Sequence, residues 1–126
     1  NTYQEKNGQV PPFQKRFLVH VGRLTKMVPA EDIAYFYTDK KVVYLVCFDN
    51  SKYTINTTLE KQETQLNPVN FFRINRQFIV NLSSIMRMIP ASKSRQQLLL
   101  KPTPAHSPIT SFNRTQNFYK WLTGKH

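Results

Sequence analysis

Short runs of β-branched and aromatic residues, each bounded by polar or turn-forming residues, make up most of the chain after residue 16. Runs of this kind are typical of β-strands. The pattern predicts strands over residues 17–21, 24–28, 33–37, 41–48, 52–56, 71–75, 79–82, 85–89 and 97–101. Residues 42–48 are apolar at every position, which predicts a central strand covered on both faces.

Two segments follow a helical pattern instead. Thr57 and Glu60 have the spacing of a capping box, so Thr57 is the predicted N-cap of a short helix that Asn67 and Pro68 end. Ser111 is predicted to cap the last helix. The apolar face of that helix consists of Phe118, Trp121 and Leu122. The chain is therefore predicted to be mainly β, with one or two short helices.

The strand pattern also predicts the core. We expect the following side chains to be buried: Phe36, Leu45, Ile74, Ile79, Val80, Leu82, Phe118 and Trp121. Asn81 is expected to make a structural hydrogen bond, and Cys47, inside the most apolar run, to be a packed side chain with no nucleophilic role.

Domain boundaries follow from composition. Residues 1–15 are polar and contain Pro11-Pro12, so we expect an interdomain linker. Residues 16–123 form the predicted domain, and residues 124–126 a C-terminal tail. A chain that begins within a linker is expected to be part of a longer protein.

Charge is distributed unevenly. Residues 1–63 carry nine bases and all seven acids, a net +2, whereas residues 64–126 carry nine bases and no acid, a net +9. An unrelieved positive half predicts a polyanionic partner, which includes nucleic acid, anionic lipid and acidic proteins.

Enzymatic chemistry is not expected. The histidines, His20, His106 and His126, have no adjacent carboxylate, and the sequence contains no P-loop, HExxH, GxSxG or GxGxxG motif. One cysteine excludes a cysteine-based metal cluster. We therefore predict no catalytic residue, no metal and no cofactor. No apolar run approaches the ~20 residues of a membrane span, so no membrane association is expected.

The bases lie largely at the ends of predicted elements and in loops, where cations contact phosphates and base edges. Zinc-finger spacing, a basic heptad helix and the RRM aromatic signature are all absent. Physical reasoning alone therefore predicts a basic β domain that binds nucleic acid, and no more.

Residues 71–82, FFRINRQFIVNL, resemble the signature of the LytTR DNA-binding family, roughly F-x-R-x-x-R-x-x-[IVL]-V-N or -S. Further blocks resemble the family in the right order: residues 31–36 (EDIAYF), 57–60 (TTLE), 109–111 (ITS) and 118–122 (FYKWL). Together these blocks cover nearly the whole of residues 16–123.

The resemblance implies a fold and a function. The family fold is an elongated β-sandwich of antiparallel sheets with short helices, whose loops and strand ends enter successive major grooves of double-stranded DNA. It implies a cytoplasmic transcription regulator: the output domain of a bacterial response regulator in a two-component phosphorelay. An N-terminal receiver domain would precede it, and two copies would pair on repeated promoter half-sites.

The resemblance also implies which residues contact DNA. They belong to residues 39–42, to the turn at the signature arginine and to the start of the final helix, where Phe112 replaces the usual arginine and Arg114 is the nearest one. Two further bases, at positions 93 and 95, are predicted from their place in a polar loop. The predicted DNA-contacting set is Lys40, Lys41, Arg73, Asn75, Arg76, Gln77, Lys93, Arg95 and Arg114.

Two alternatives stay open. A basic non-enzymatic module would bind RNA, anionic lipid or an acidic protein through charge, without sequence preference. A domain that has lost DNA binding is the second alternative, because Phe112 stands where the family has an arginine.

Overall fold

The computed structural model describes residues 12–124, which contain nine strands and two α-helices. The strands are β1 (Arg16–Val21), β2 (Leu24–Pro29), β3 (Ile33–Asp39), β4 (Val42–Cys47), β5 (Lys52–Ile55), β6 (Phe71–Arg73), β7 (Phe78–Asn81), β8 (Ile85–Pro90) and β9 (Gln96–Leu100). The helices are α1 (Leu59–Gln65) and α2 (Thr115–Leu122). The predicted mainly β fold with two short helices is confirmed.

A five-stranded antiparallel sheet, in the order β5-β4-β3-β7-β6, lies at the middle of the fold. Its central strand is β3, where residues 33–37 are all buried. The prediction that residues 42–48 form a central strand covered on both faces is confirmed by β4, which lies between β5 and β3. Only its ends differ, because Val42 is exposed and Phe48 follows the strand. Val43, Leu45 and Cys47 pack on one face of the sheet, and Val46 packs on the other.

Both faces of the central sheet are covered. Neighbouring side chains of a strand point to opposite faces, so Phe36 packs with the β1–β2 hairpin and α1, whereas Tyr35 packs with the β8–β9 hairpin and α2. The side chains that β1, β2 and α1 contribute are Phe17, Val19, Val28 and Leu59. Those that β9 and α2 contribute are Leu98, Leu100, Phe118 and Trp121.

Both predicted helix caps were wrong in detail. Thr58, one residue after the predicted cap, accepts the capping hydrogen bond from the backbone of Lys61 at 3.1 Å. With Thr58 as the N-cap, Glu60 does not occupy the capping-box position, and its carboxylate forms an ion pair with Arg73 at 2.8 Å. At the other helix, Ser111 precedes a 3₁₀ turn (Phe112–Arg114) without a side-chain capping bond, and α2 begins only at Thr115.

Seven of the eight predicted core residues are buried, and Leu82 is the exception at 40% exposure. It begins a 3₁₀ turn after β7, where the alternation of the strand no longer applies. Asn81 makes the expected structural hydrogen bond, donated from its amide to the Ile33 carbonyl at 2.8 Å. Burial raises the pKa of the Cys47 thiol to about 11, which keeps it protonated at neutral pH.

The predicted linker, residues 1–15, lies mostly outside the described residues. Within its described end, the Gln14 backbone donates to Gln65 at 2.8 Å, and the Lys15 carbonyl accepts from Ala30 at 2.8 Å. These two residues are therefore attached to the domain. Residues 125–126 of the predicted tail are also outside the described part. Neither α-helix in that part is long and apolar enough to cross a membrane.

Candidate nucleic-acid interface

The turn between β6 and β7 is built around Asn75. Its side-chain oxygen accepts hydrogen bonds from the backbones of Gln77 at 2.7 Å and Phe78 at 2.9 Å, which is the arrangement by which Asn favours tight turns. The residues between, Arg76 and Gln77, are exposed. The turn thus presents a guanidinium and an amide to solvent on a fixed backbone.

Arg73 supports this turn from inside. Its side chain is only 8% exposed, and it donates to the carbonyls of Asn75 at 3.0 Å and Arg76 at 3.1 Å. The same guanidinium pairs with Glu60 at 2.8 Å and Glu63 at 3.5 Å. Contact of Arg73 with DNA remains a prediction, but these bonds favour a positioning role, because a buried and paired guanidinium has little left to offer a phosphate.

The β3–β4 hairpin lies next to the turn. The Thr38 backbone donates to the Gln77 carbonyl at 3.0 Å. Lys40 and Lys41 form the two-residue tip between the paired residues Asp39 and Val42, with φ of 50° and 67°. Asn and Gly are the residues favoured at such positions, since a side chain there strains the backbone. Strained positions cluster at functional sites.

The segment before α2 contacts the turn on its other side. The Asn75 amide donates to the Ile109 carbonyl at 2.7 Å, and the Ser111 backbone donates to the Ile74 carbonyl at 2.8 Å. Arg114, half-buried, donates to the Arg73 carbonyl at 3.3 Å and lies 3.7 Å from a Glu63 oxygen. The start of the final helix is thus fixed against the turn.

The β8–β9 hairpin continues the series. Gln96 and Thr110 exchange backbone contacts: the Thr110 backbone donates to the Gln96 carbonyl at 2.9 Å, and the Gln96 backbone donates to the Thr110 hydroxyl at 3.0 Å. The hairpin tip carries Lys93, again at positive φ (58°). Arg95 beside it is held by Ser92, which accepts its hydrogen bonds at 2.6 and 3.0 Å.

The hydrogen bonds of Thr38, Ile74, Ile109, Thr110 and Gln96 therefore connect four neighbouring segments, residues 39–42, 75–77, 92–95 and 111–114, which we call the basic rim. It brings together every predicted DNA-contacting residue except Arg73, which lies behind it. Within residues 12–124, no carboxylate lies within 4.0 Å of Lys40, Lys41 or Arg76. Their charges are available to an anionic partner, with lysines suited to phosphates and the guanidinium and amide also to base edges.

Two side chains in or beside the basic rim were not predicted as contacts. His106 lies with its Nε2 3.6 Å from an Asp39 carboxylate oxygen, and no local pattern connects residues so far apart in sequence. Phe112, noted in the sequence only for the arginine it replaces, is 67% exposed. Among the described residues, no group of three His, Cys, Asp or Glu side chains could hold a metal ion.

Comparison with known proteins agrees with this architecture. A model of the family described as LytTr DNA-binding domain matches residues 23–123. The sensory transduction protein LytT of Bacillus subtilis (strain 168) is 33% identical over 88 residues, which are 70% of this chain and 36% of that protein. The chain thus spans little more than a third of the curated relative.

A solved structure has the same fold. It is the LytTr DNA-binding domain of a putative methyl-accepting/DNA response regulator from Bacillus cereus, with a TM-score of 0.73 and 21% identity. The match covers 88% of this chain and 98% of that one.

Proposed function

The chain belongs to the LytTr DNA-binding domain family, and from that premise we propose that it binds double-stranded DNA sequence-specifically through the basic rim, as the output domain of a bacterial response regulator. The observation that carries the proposal is the hydrogen-bonded series from Thr38 through Gln77 and Asn75 to Ile109. It places exposed cations from separate parts of the sequence on adjacent segments.

The rim provides two kinds of contact. Lys40, Lys41 and Lys93 stand on hairpin tips, where an ammonium group reaches a phosphate without sequence preference. Arg76 and Gln77 stand on the turn supported by Arg73, and both side chains can form paired hydrogen bonds with base edges in a major groove. In the proposed arrangement the lysines set affinity and salt dependence, and the turn sets specificity.

No helix needs to enter the groove in this arrangement. Phe118 and Trp121 bury α2 against the central sheet, so α2 serves as support for the rim. Hairpin tips and turns then enter neighbouring grooves, and two copies of the domain would occupy half-sites separated by whole helical turns, about 34 Å each.

The remaining parts of the proposal concern the longer protein. We propose that in a longer protein a receiver domain before residue 1 would control pairing of two copies on promoter DNA in a two-component phosphorelay. Residues 1–15 would be the linker to that receiver, residues 16–123 the DNA-binding domain and residues 124–126 its tail. A regulator of promoters would act in the cytoplasm, without a cofactor.

In-vitro selection from a random duplex library tests the proposal, at near-physiological salt and with excess competitor DNA. We expect enrichment of one motif, either single or repeated at one or two helical turns. Two double variants with the same loss of charge test whether the basic rim causes this enrichment. Lys40→Gln/Arg76→Gln should abolish the enrichment, whereas Lys15→Gln/Arg16→Gln, which removes the same charge from the opposite end of the central sheet, should preserve it.

Binding experiments with the same chain also test the alternative function, a module that binds anions by charge alone. A module that binds by charge alone would retain heparin, RNA and random duplex equally well and would enrich no motif. That result, from a chain whose circular dichroism shows a folded β protein, would contradict the proposed function.

A further inference from the structure

One aromatic side chain projects from the basic rim. Phe112 is 67% exposed, whereas the other eight of the nine phenylalanines are buried or half-buried. A single exposed apolar side chain is ordinary on a protein surface. Phe112 differs because it lies on a segment of the basic rim, two residues from Arg114 and joined through the Ser111–Ile74 hydrogen bond to the turn that carries Arg76.

The backbone that carries Phe112 is held by hydrogen bonds on both sides. Thr110, two residues before Phe112, is fully buried. Its hydroxyl forms a 2.9 Å hydrogen bond with the hydroxyl of Thr115. The Ser111 carbonyl accepts from the Arg114 backbone at 3.1 Å and from the Thr115 hydroxyl at 2.9 Å. A side chain presented from such a frame loses little backbone entropy when it makes a contact.

A phenyl ring can read only one feature of a base edge. The major groove shows hydrogen-bonding groups at every base pair, and its one apolar group is the 5-methyl of thymine. A phosphate or a guanine edge next to the ring would lose water without gaining a hydrogen bond. Phe112 therefore favours one base and disfavours the partners that the neighbouring arginines favour.

We propose that Phe112 is a specificity-determining residue that contacts the 5-methyl group of a thymine in the bound duplex. This inference rests on the proposed function. It predicts that the selected motif contains an A·T pair at the position facing the segment before α2. The cations beside Phe112 contact the DNA backbone and fix the position of the domain on the duplex, and the phenyl ring distinguishes thymine from the other bases.

Single replacement of thymine by deoxyuridine tests the contact, because it removes only the methyl group. Each thymine of the selected motif, on both strands, is replaced in turn, and affinity is measured for the wild-type chain and Phe112→Ala. At one position the wild-type chain should lose about fourfold in affinity, as expected for one buried methyl group, and Phe112→Ala should show no difference there.

Two further variants complete the test. Val69→Ala shortens a comparably exposed apolar side chain (61% exposed) at the far end of β6, and it should keep the wild-type response to deoxyuridine. Phe112→Arg should change the selected base at that position from thymine to guanine, since a guanidinium pairs with the guanine edge.

The possible results separate this inference from the function it rests on. An enriched motif whose thymines can all become deoxyuridine without a Phe112-dependent loss would overturn the inference and leave sequence-specific binding intact. If deoxyuridine lowered the affinity of the wild-type chain and of Phe112→Ala equally at every position, the inference would likewise be overturned and sequence-specific binding would stand. No enriched motif from the folded chain would overturn both.

Discussion

The side-chain amide of Asn75 donates a 2.7 Å hydrogen bond to the carbonyl of Ile109, 34 residues later in the chain. The same side chain holds its own turn through hydrogen bonds from Gln77 and Phe78. One residue therefore shapes the turn that presents Arg76 and joins it to the segment that presents Phe112. The geometry of the basic rim depends on this connection.

Asn75→Asp separates these two roles. The carboxylate keeps the acceptor for the backbones of Gln77 and Phe78 but cannot donate to Ile109, whose carbonyl loses its partner. We expect a loss of about 1–3 kcal/mol in the free energy of unfolding, measured by urea denaturation, and weaker binding to the selected duplex. Asn75→Ala, which loses both roles, should be at least as destabilised. If Asn75→Asp matched the wild-type chain in both measurements, the bridge would have no energetic role.

The lysines at the β3–β4 tip predict a trade between stability and binding. Replacing Lys40 and Lys41 by Asn and Gly puts residues that tolerate positive φ at these two positions, so stability should rise by about 1 kcal/mol. Binding to all duplexes should weaken alike, and the slope of log affinity against log salt should decrease by about two, one for each lost phosphate contact. If the slope of log affinity against log salt did not change, neither lysine would contact DNA.

Arg76 is predicted to read a base. Arg76→Ala should cost about 1–3 kcal/mol in binding the selected duplex and less on random duplex, measured by competition at fixed salt. Arg16→Ala is the matched control: Arg16 is exposed but lies at the start of β1, away from the rim, and its loss should leave the preference unchanged. Equal weakening on both duplexes would reduce Arg76 to a phosphate contact.

Glu60 makes stability dependent on pH. The hydrogen bond from Arg73 lowers the pKa of the Glu60 carboxyl below its ordinary value of 4.5. A group with a lowered folded pKa stabilises the fold above its unfolded pKa, and the stabilisation is lost as pH falls through the folded pKa. Glu60→Gln should therefore lose less stability than the wild-type chain between about pH 5.5 and pH 3. If the urea midpoints of the wild-type chain and Glu60→Gln changed with pH in parallel, the Glu60–Arg73 pair would have no role in stability.

The strand pattern predicted the fold because each strand of the central sheet alternates between two covered faces. Phe36 and Tyr35, adjacent in sequence, pack into opposite layers. The errors came from contacts between distant residues. Thr57 and Thr58 are equivalent as caps by composition, and the pairing of Glu60 with Arg73, 13 residues later, is incompatible with a role for Glu60 in a capping box.

The candidate site was predictable only in part. Charge and turn position indicated Lys40, Arg76 and Lys93 separately. That the segments carrying these residues are neighbours depends on long-range hydrogen bonds, such as that between Thr38 and Gln77, which no local pattern contains. The burial of Arg73 has the same origin, since α1 supplies its carboxylate partners.

The most direct test of DNA reading by the basic rim is an NMR titration of the isotope-labelled chain with the selected duplex, in which changes in amide chemical shift report the contacted surface. We expect the largest changes at residues 39–42, 75–77, 92–95 and 111–114, and small changes at Lys15, Val69 and Ser83. A scrambled duplex should produce weaker changes that salt removes. Changes centred on Lys15, Val69 and Ser83 would contradict the claim that the basic rim is the DNA-reading surface.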